Sequence, residues 1–202
     1  SIEKQIKSII KKFQGKTMST KQDVHMGIFE NRPENFQHFT GLKVPSSQLA
    51  ELDCAGKDIA IIGTDQFTVS HLNHISQHAR SVKVFQINPQ FVLPGTEHGL
   101  QRLLNHPLII KNRRLFNSRI KSILSLRYLE NQVQNLWLRR QLMPNLAEVS
   151  KVYLKSDHYY TALQRENCQL ITWPISKISK DSIYCINGAQ HQVELIVYTF
   201  SV

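Results

Sequence analysis

The sequence predicts an α/β protein built on a parallel central sheet, with a long helical segment and a β-hairpin or meander added to it. Three observations predict this. Residues 57–85 read as strand, glycine turn, helix and strand. Residues 99–142 turn long and helical, rich in Leu, Ile and Arg. The remainder breaks into short β-prone runs around an Asn187-Gly188 pair, a strong hairpin signal.

The first of these units is the clearest. Asp58 to Ile62 (DIAII) is a compact apolar run, short enough for a buried parallel strand. Gly63 breaks it, and Val69, Leu72, Ile75 and Ala79 then recur at helical spacing. Val82, Val84 and Phe85 begin a second strand. Parallel strands joined by a crossover helix close right-handed, which makes this a βαβ unit. Upstream, Ile2, Ile6, Ile9, Ile10 and Phe13 share one face of a short amphipathic helix, followed by a polar loop to Gln22. The chain therefore divides into an N-terminal helix and loop, residues 1–22, and one domain, residues 23–202. In the helical segment Pro107 marks a break. The later strands are placed at residues 169–172, 175–178, 182–186 and 193–198.

With 202 residues, 41% of them hydrophobic and 20% charged, the chain can bury a real core. No apolar stretch reaches the roughly 18–20 residues that span a bilayer. The N-terminus has no small-residue cleavage site, so it does not read as a secretory signal. Cys54, Cys168 and Cys185 lack C-x-x-C spacing and are expected as reduced thiols, which places the protein in the cytoplasm. The net charge of +10 concentrates between Lys111 and Arg140. It reads as a solvated helix face, because aromatics are not interleaved with the cations and no nucleic-acid-reading motif occurs. An anion- or nucleic-acid-binding protein is the least favoured of three functional readings.

His71, His74 and His78 form one stripe of the predicted helix beside its apolar face. They are expected to face solvent, and no metal site is assigned. Tyr159, Tyr160 and Trp173 are expected in the core.

A phosphate-binding turn after the first strand wants G-x-G-x-x-G: a tight turn, a close backbone approach to the pyrophosphate, and close helix–strand packing. Here the run is Gly63-Thr64-Asp65-Gln66-Phe67-Thr68. Only the first glycine is present. A carboxylate at Asp65 would repel a phosphate by about 4 kcal/mol per charge pair at 4 Å and an effective dielectric near 20. Asp65 is expected instead to cap the helix.

Several segments resemble, in collinear order, the NADP-binding domain of Baeyer–Villiger and related flavin-containing monooxygenases. GKDIAIIGT (Gly56–Thr64) resembles their "GKVAVIGTG". VFQINPQFVLP (Val84–Pro94) resembles "VFQRTP-W-LP", SDHYY (Ser156–Tyr160) resembles "SDDYY", and ELIVY (Glu194–Tyr198) resembles the "DIVYATG" strand. The resemblance covers residues 23 to 202 and implies a Rossmann-like, three-layer NADP-binding domain. It implies cofactor contacts at Gly63, Thr64, Gln86 and Lys151, the last toward the NADP 2′-phosphate.

Other positions depart from the family pattern. Ile87 stands where the family has an arginine for the 2′-phosphate. Val152 stands at the arginine associated with catalysis, and Pro45 at the histidine of "F-x-G-x-x-x-H". The FAD-binding segments of the family do not occur in these 202 residues, so FAD is not expected on this chain alone. The resemblance thus implies a truncated relative with weakened or lost NADPH binding, not catalytic by itself, with no catalytic residue assigned. The alternative is an NADP-binding subunit that completes a monooxygenase with a separate FAD-binding polypeptide. A homodimer is the other partner expectation.

Overall fold

The computed structural model describes residues 32–96 and 118–202. The amphipathic segment at residues 2–13, the boundary at residue 22 and the break at Pro107 lie outside the described residues.

Five parallel strands form the central sheet: β1 (Leu42–Pro45), β2 (Asp58–Ile62), β3 (Ser81–Phe85), β6 (Cys168–Ile171) and β10 (Leu195–Tyr198), in the order β1-β10-β2-β3-β6. Between β2 and β3 runs α1 (Gln66–His78), as its apolar spacing predicts. Because β2 is buried on both faces it reads as a continuous apolar run and not as an alternating one. Ile59 and Ile61 face α1, whose Val69, Leu72 and Ile75 seal that side. Ala60 and Ile62 face the opposite way.

That opposite face is covered by an antiparallel meander, β7 (Ile175–Ile178), β8 (Ser182–Cys185) and β9 (Gln190–Gln192). The hairpin turns at the Asn-Gly pair, where Gly188 adopts φ +85° and donates to the Cys185 carbonyl at 3.0 Å. A two-stranded parallel piece, β4 (Phe91–Leu93) with β5 (Tyr153–Lys155), stands apart from the main sheet. The described part of the long helical segment holds α2 (Ser118–Gln132) and α3 (Leu136–Gln141), and α4 (Tyr159–Leu163) follows β5.

Three details correct the sequence reading. The last strand starts at Leu195, and Val193 and Glu194 form the short link between it and β9. Residues 190–192 are polar and pair along one edge of the meander, so no apolar periodicity announced them. Trp173 is 52% exposed between β6 and β7, whereas Tyr159 and Tyr160 are buried as expected. Cys54, Cys168 and Cys185 are free and buried.

One group of cations has a structural duty. Arg139 turns back from α3 so that Nε donates to the Val133 carbonyl at 2.8 Å and its guanidinium to the Glu130 carbonyl at 3.3 Å. It satisfies carbonyls at the end of α2, where a positive charge is favoured. No helix among the described residues is long and apolar enough to cross a membrane.

Candidate functional site

In an open parallel sheet, ligands bind outside the carboxyl ends of the strands where the winding direction changes. Here β2 leads to β3 and β6 on one side, while β10 and β1 lie on the other. The crevice therefore sits above β2 and β10. Gly63, Thr64, Gln86, Ser46 and Thr199 are the residues that immediately follow these strands or begin the loops beyond them.

Gly63 has φ +91° and donates its N–H to the Phe85 carbonyl at 3.0 Å. A Cβ at this position would overlap Thr199 Oγ1. Thr199 is fixed there because its hydroxyl donates to the Ile62 carbonyl at 3.0 Å. The glycine thus serves a tight turn and a close approach by the strand next door.

Gln86 is 2% exposed. Its Nε2 donates to Thr64 Oγ1 at 2.9 Å. The Tyr159 hydroxyl reaches the same cluster from α4, beside Thr64 and Gln86, and burial pushes its pKa well above the ordinary phenol value. Both Gln86 Oε1 and the Tyr159 hydroxyl lack a well-formed hydrogen bond. These two buried polar atoms, side by side under the turn, mark the polar floor of the crevice.

Asp65 stands at the start of α1, at the mouth of the crevice. Its Oδ1 receives the Thr68 N–H at 2.9 Å, and its own N–H donates to Thr68 Oγ1 at 3.0 Å, a reciprocal capping box. The second carboxylate oxygen accepts the Ser46 hydroxyl. A helix N-terminus is a ready-made anion site because its first amides are unpaired and its dipole is positive there. In this protein the anion is the protein's own carboxylate. Gln66, the next residue, is also engaged: Oε1 accepts the Lys155 N–H at 3.0 Å and Nε2 donates to the Lys155 carbonyl at 2.8 Å.

Of the four residues expected to contact a nucleotide, Gly63, Thr64 and Gln86 come together at the crevice. Lys151 does not join them. Its ammonium lies over the Phe91 ring, 5.8 Å from the centroid. It precedes Lys155, the β5 residue that touches the start of α1, by four positions, about 13 Å of extended chain. Ile87 is exposed, Val152 packs against the core, and Pro45 closes β1. Ser46, Tyr159 and Thr199 are the crevice residues that sequence reasoning missed as contacts. Ser46 and Thr199 follow strand ends and were signals only once the strand order was known, and Tyr159 arrives from the first position of α4.

No protein-family model matches the chain. Among curated proteins it is 25% identical over 190 residues to a Baeyer–Villiger monooxygenase of Pseudomonas aeruginosa, covering 83% of this chain and 36% of that protein. A Baeyer–Villiger monooxygenase of Streptomyces coelicolor is 22% identical over 170 residues, with 73% and 33% covered. This chain is a distant homologue of the Baeyer–Villiger monooxygenases. It spans about a third of the curated relatives' length. The likeness to solved Baeyer–Villiger-type enzymes extends to the fold. Cyclohexanone monooxygenase from Rhodococcus sp. Phi1 bound to NADP+ superposes with a TM-score of 0.67 at 14% identity, over 89% of this chain and 44% of that one. The OTEMO complex with FAD and NADP gives 0.64 at 16%, over 88% and 45%.

The solved relatives that carry NADP direct attention to the start of α1. There the Asp65 carboxylate holds the Thr68 amide and the Ser46 hydroxyl, and the side chain of Gln66 is latched to β5. A phosphate entering there would meet a carboxylate already holding two donors.

Proposed function

We propose that this chain is a scaffold relative of the NADP-binding domain of Baeyer–Villiger monooxygenases that has lost tight NADPH binding and does not catalyse oxygenation by itself. One observation carries the reading: the Asp65 carboxylate occupies the anion site at the start of α1, held by the Thr68 amide and the Ser46 hydroxyl. Displacing it would uncap the helix, at about 0.5–2 kcal/mol for a cap of this kind. Leaving it in place would set two like charges together, on the order of 4 kcal/mol before screening. Micromolar affinity corresponds to about 8 kcal/mol, so the charge clash would remove about half of it and displacement of the cap up to about a quarter.

The test is titration calorimetry with NADPH on the tag-free protein. The wild-type chain is expected to give no saturable heat in the micromolar range. Asp65→Gly should gain measurable binding while losing only a few tenths of a kcal/mol in stability, since glycine is itself a tolerated N-cap. Saturable micromolar binding by the wild type would sink the proposal.

A second reading, an NADP-binding subunit acting with a separate FAD-binding polypeptide, has one observation in its favour. Gln86 Oε1 and the Tyr159 hydroxyl, buried under the turn without a well-formed hydrogen bond, are polar atoms that a ligand could engage. It requires that a co-expressed FAD-binding polypeptide co-purify with this chain and oxidise NADPH only in its presence.

A further inference from the structure

At the opposite end of the sheet from the crevice, two of the helix histidines meet a buried thiol. Cys54 lies in the loop before β2, and His74 and His78 lie on the last turn of α1. One donor atom from each falls within 4.8 Å of the others. The geometry points to a three-ligand site for a divalent first-row metal, zinc by its chemistry, formed by Cys54, His74 and His78.

Four features support this assignment. The donor set, one thiolate and two imidazoles, suits zinc, and histidines at i and i+4 present their rings on one helix face. Zinc bonds of about 2.0–2.3 Å put tetrahedral ligand atoms about 3.5 Å apart, so closure needs a contraction of roughly 1 Å. The exposed His74 imidazole can supply it by rotation, and the two ring centroids already stand 4.4 Å apart.

The second feature is the orientation of His78. Its Nδ1 lies 2.8 Å from the His74 carbonyl, which can only accept, so Nδ1 carries the proton and Nε2 the lone pair. A ring nitrogen pinned to a backbone carbonyl is the usual outer support of a metal-bound imidazole. Thirdly, the loop is already stitched to the helix end. Gly56 donates to the His78 carbonyl and Arg80 to the Lys57 carbonyl, each at 3.0 Å. The thiol is therefore held under the rings by backbone contacts. Finally, the site lies at the helix C-terminus, where the dipole favours a cation. Lys57, the nearby positive charge, is turned toward Asp53, with its ammonium 2.7 Å from the Asp53 carbonyl oxygen.

Cys54 is 3% exposed, and burial raises its thiol pKa. Metal binding therefore releases the thiol proton to solvent as the sulfur–metal bond forms. Three protein ligands leave one position, which the exposed imidazole side opens to water. A metal there clamps the loop before β2 onto α1. It would act on the scaffold, at a distance from the crevice.

The test uses tag-free, metal-stripped protein with zinc chloride and, as a spectroscopic probe, cobalt chloride. One equivalent of zinc per chain should bind and raise Tm, because a ligand that prefers the folded state stabilises it. Cobalt should give a sulfur-to-metal charge-transfer band. Cys54→Ser should abolish that band. His74→Gln, at an exposed position that does not threaten folding, should weaken binding at least about tenfold. His71→Gln, whose ring lies outside the trio, should leave binding unchanged. Cobalt binding without the charge-transfer band, or binding that survives both Cys54→Ser and His74→Gln, overturns the assignment. So does the lack of any zinc-induced rise in Tm.

Discussion

Gly63 and Gly188 share a left-handed backbone, with φ +91° and +85°, yet they differ in what surrounds them. A Cβ at Gly188 meets nothing within 4 Å, whereas one at Gly63 would overlap Thr199 Oγ1. Gly188→Ala should therefore cost only the backbone term, about 1 kcal/mol. Gly63→Ala should cost at least about 3 kcal/mol, strain and overlap together. Urea unfolding of the two variants measures the difference, and equal losses would contradict it. At the same scale, single polar side chains start and close helices. The Asn167 amide donates to the Ser76 and Ala79 carbonyls at 2.8 and 3.1 Å and closes the end of α1. Ser156 Oγ accepts the His158 and Tyr159 amides and starts α4. Asp65 belongs here too: it gives α1 its cap.

The elements are locked at both ends of the sheet. At the amino ends of β2, β3 and β10, Asp58, Arg80 and Glu194 form a cluster. Arg80 reaches Asp58 at 3.0 Å and Glu194 at 2.6 Å, and Ser81 Oγ donates to Asp58 at 2.6 Å. The Ser81 hydroxyl first, and the Arg80 guanidinium after it, hold the Asp58 carboxyl below the ordinary carboxylate value against the opposing effect of burial. A carboxyl depressed in the folded state stabilises the protein fully above its unfolded pKa, about 3.9 for Asp, and loses that contribution as pH falls through the folded value. Stability should accordingly decline in acid below about pH 5, and Asp58→Asn should flatten that limb. Thermal unfolding between neutral and acid pH reads this. An unchanged acid limb in Asp58→Asn would mean the cluster contributes nothing. In α2, Ser122 and Ser125 turn their hydroxyls onto the Ser118 and Lys121 carbonyls, at 2.7 and 2.9 Å. That is how a helix with serines on its inner face is buried without loss of hydrogen bonds.

Across the whole molecule, two hydrophobic clusters share one sheet. Ile59 and Ile61 belong to the helical side, and Ala60 and Ile62 to the meander side. Because successive residues of β2 serve opposite faces, neither layer can melt while the other keeps its support. The two tryptophans are exposed, Trp137 beside Leu138, which packs on the helical side, and Trp173 two residues before Ile175, which packs on the meander side. Single-tryptophan variants, Trp137→Phe and Trp173→Phe, should report coincident unfolding midpoints once corrected for each variant's stability. Separate transitions would show that the layers unfold independently.

How much of this was legible beforehand follows from the range of the interactions. The βαβ unit, the Asn187-Gly188 hairpin and the Asp65 cap are local: apolar spacing, a turn pair and a carboxylate three residues before Thr68 determine them within a few positions. The resemblance to Baeyer–Villiger monooxygenases was legible for the same reason, since its motifs are short runs of strand and turn. The sequence did not reveal β1, β4, β5 or β9, short pieces of three or four residues. Nor did it place Thr199 against Gly63, Ser46 against Asp65 or Cys54 beneath His74 and His78. Each of those meetings joins residues about 20 to 136 positions apart. The sequence by itself determined the strand–turn–helix scaffold and the Asp65 cap. Only the tertiary structure decided that Ser46 meets the second oxygen of that carboxylate and that a thiol lies under two imidazoles. Both depend on which strand ends and loops the sheet order brings side by side, and that order is set by packing across the whole chain.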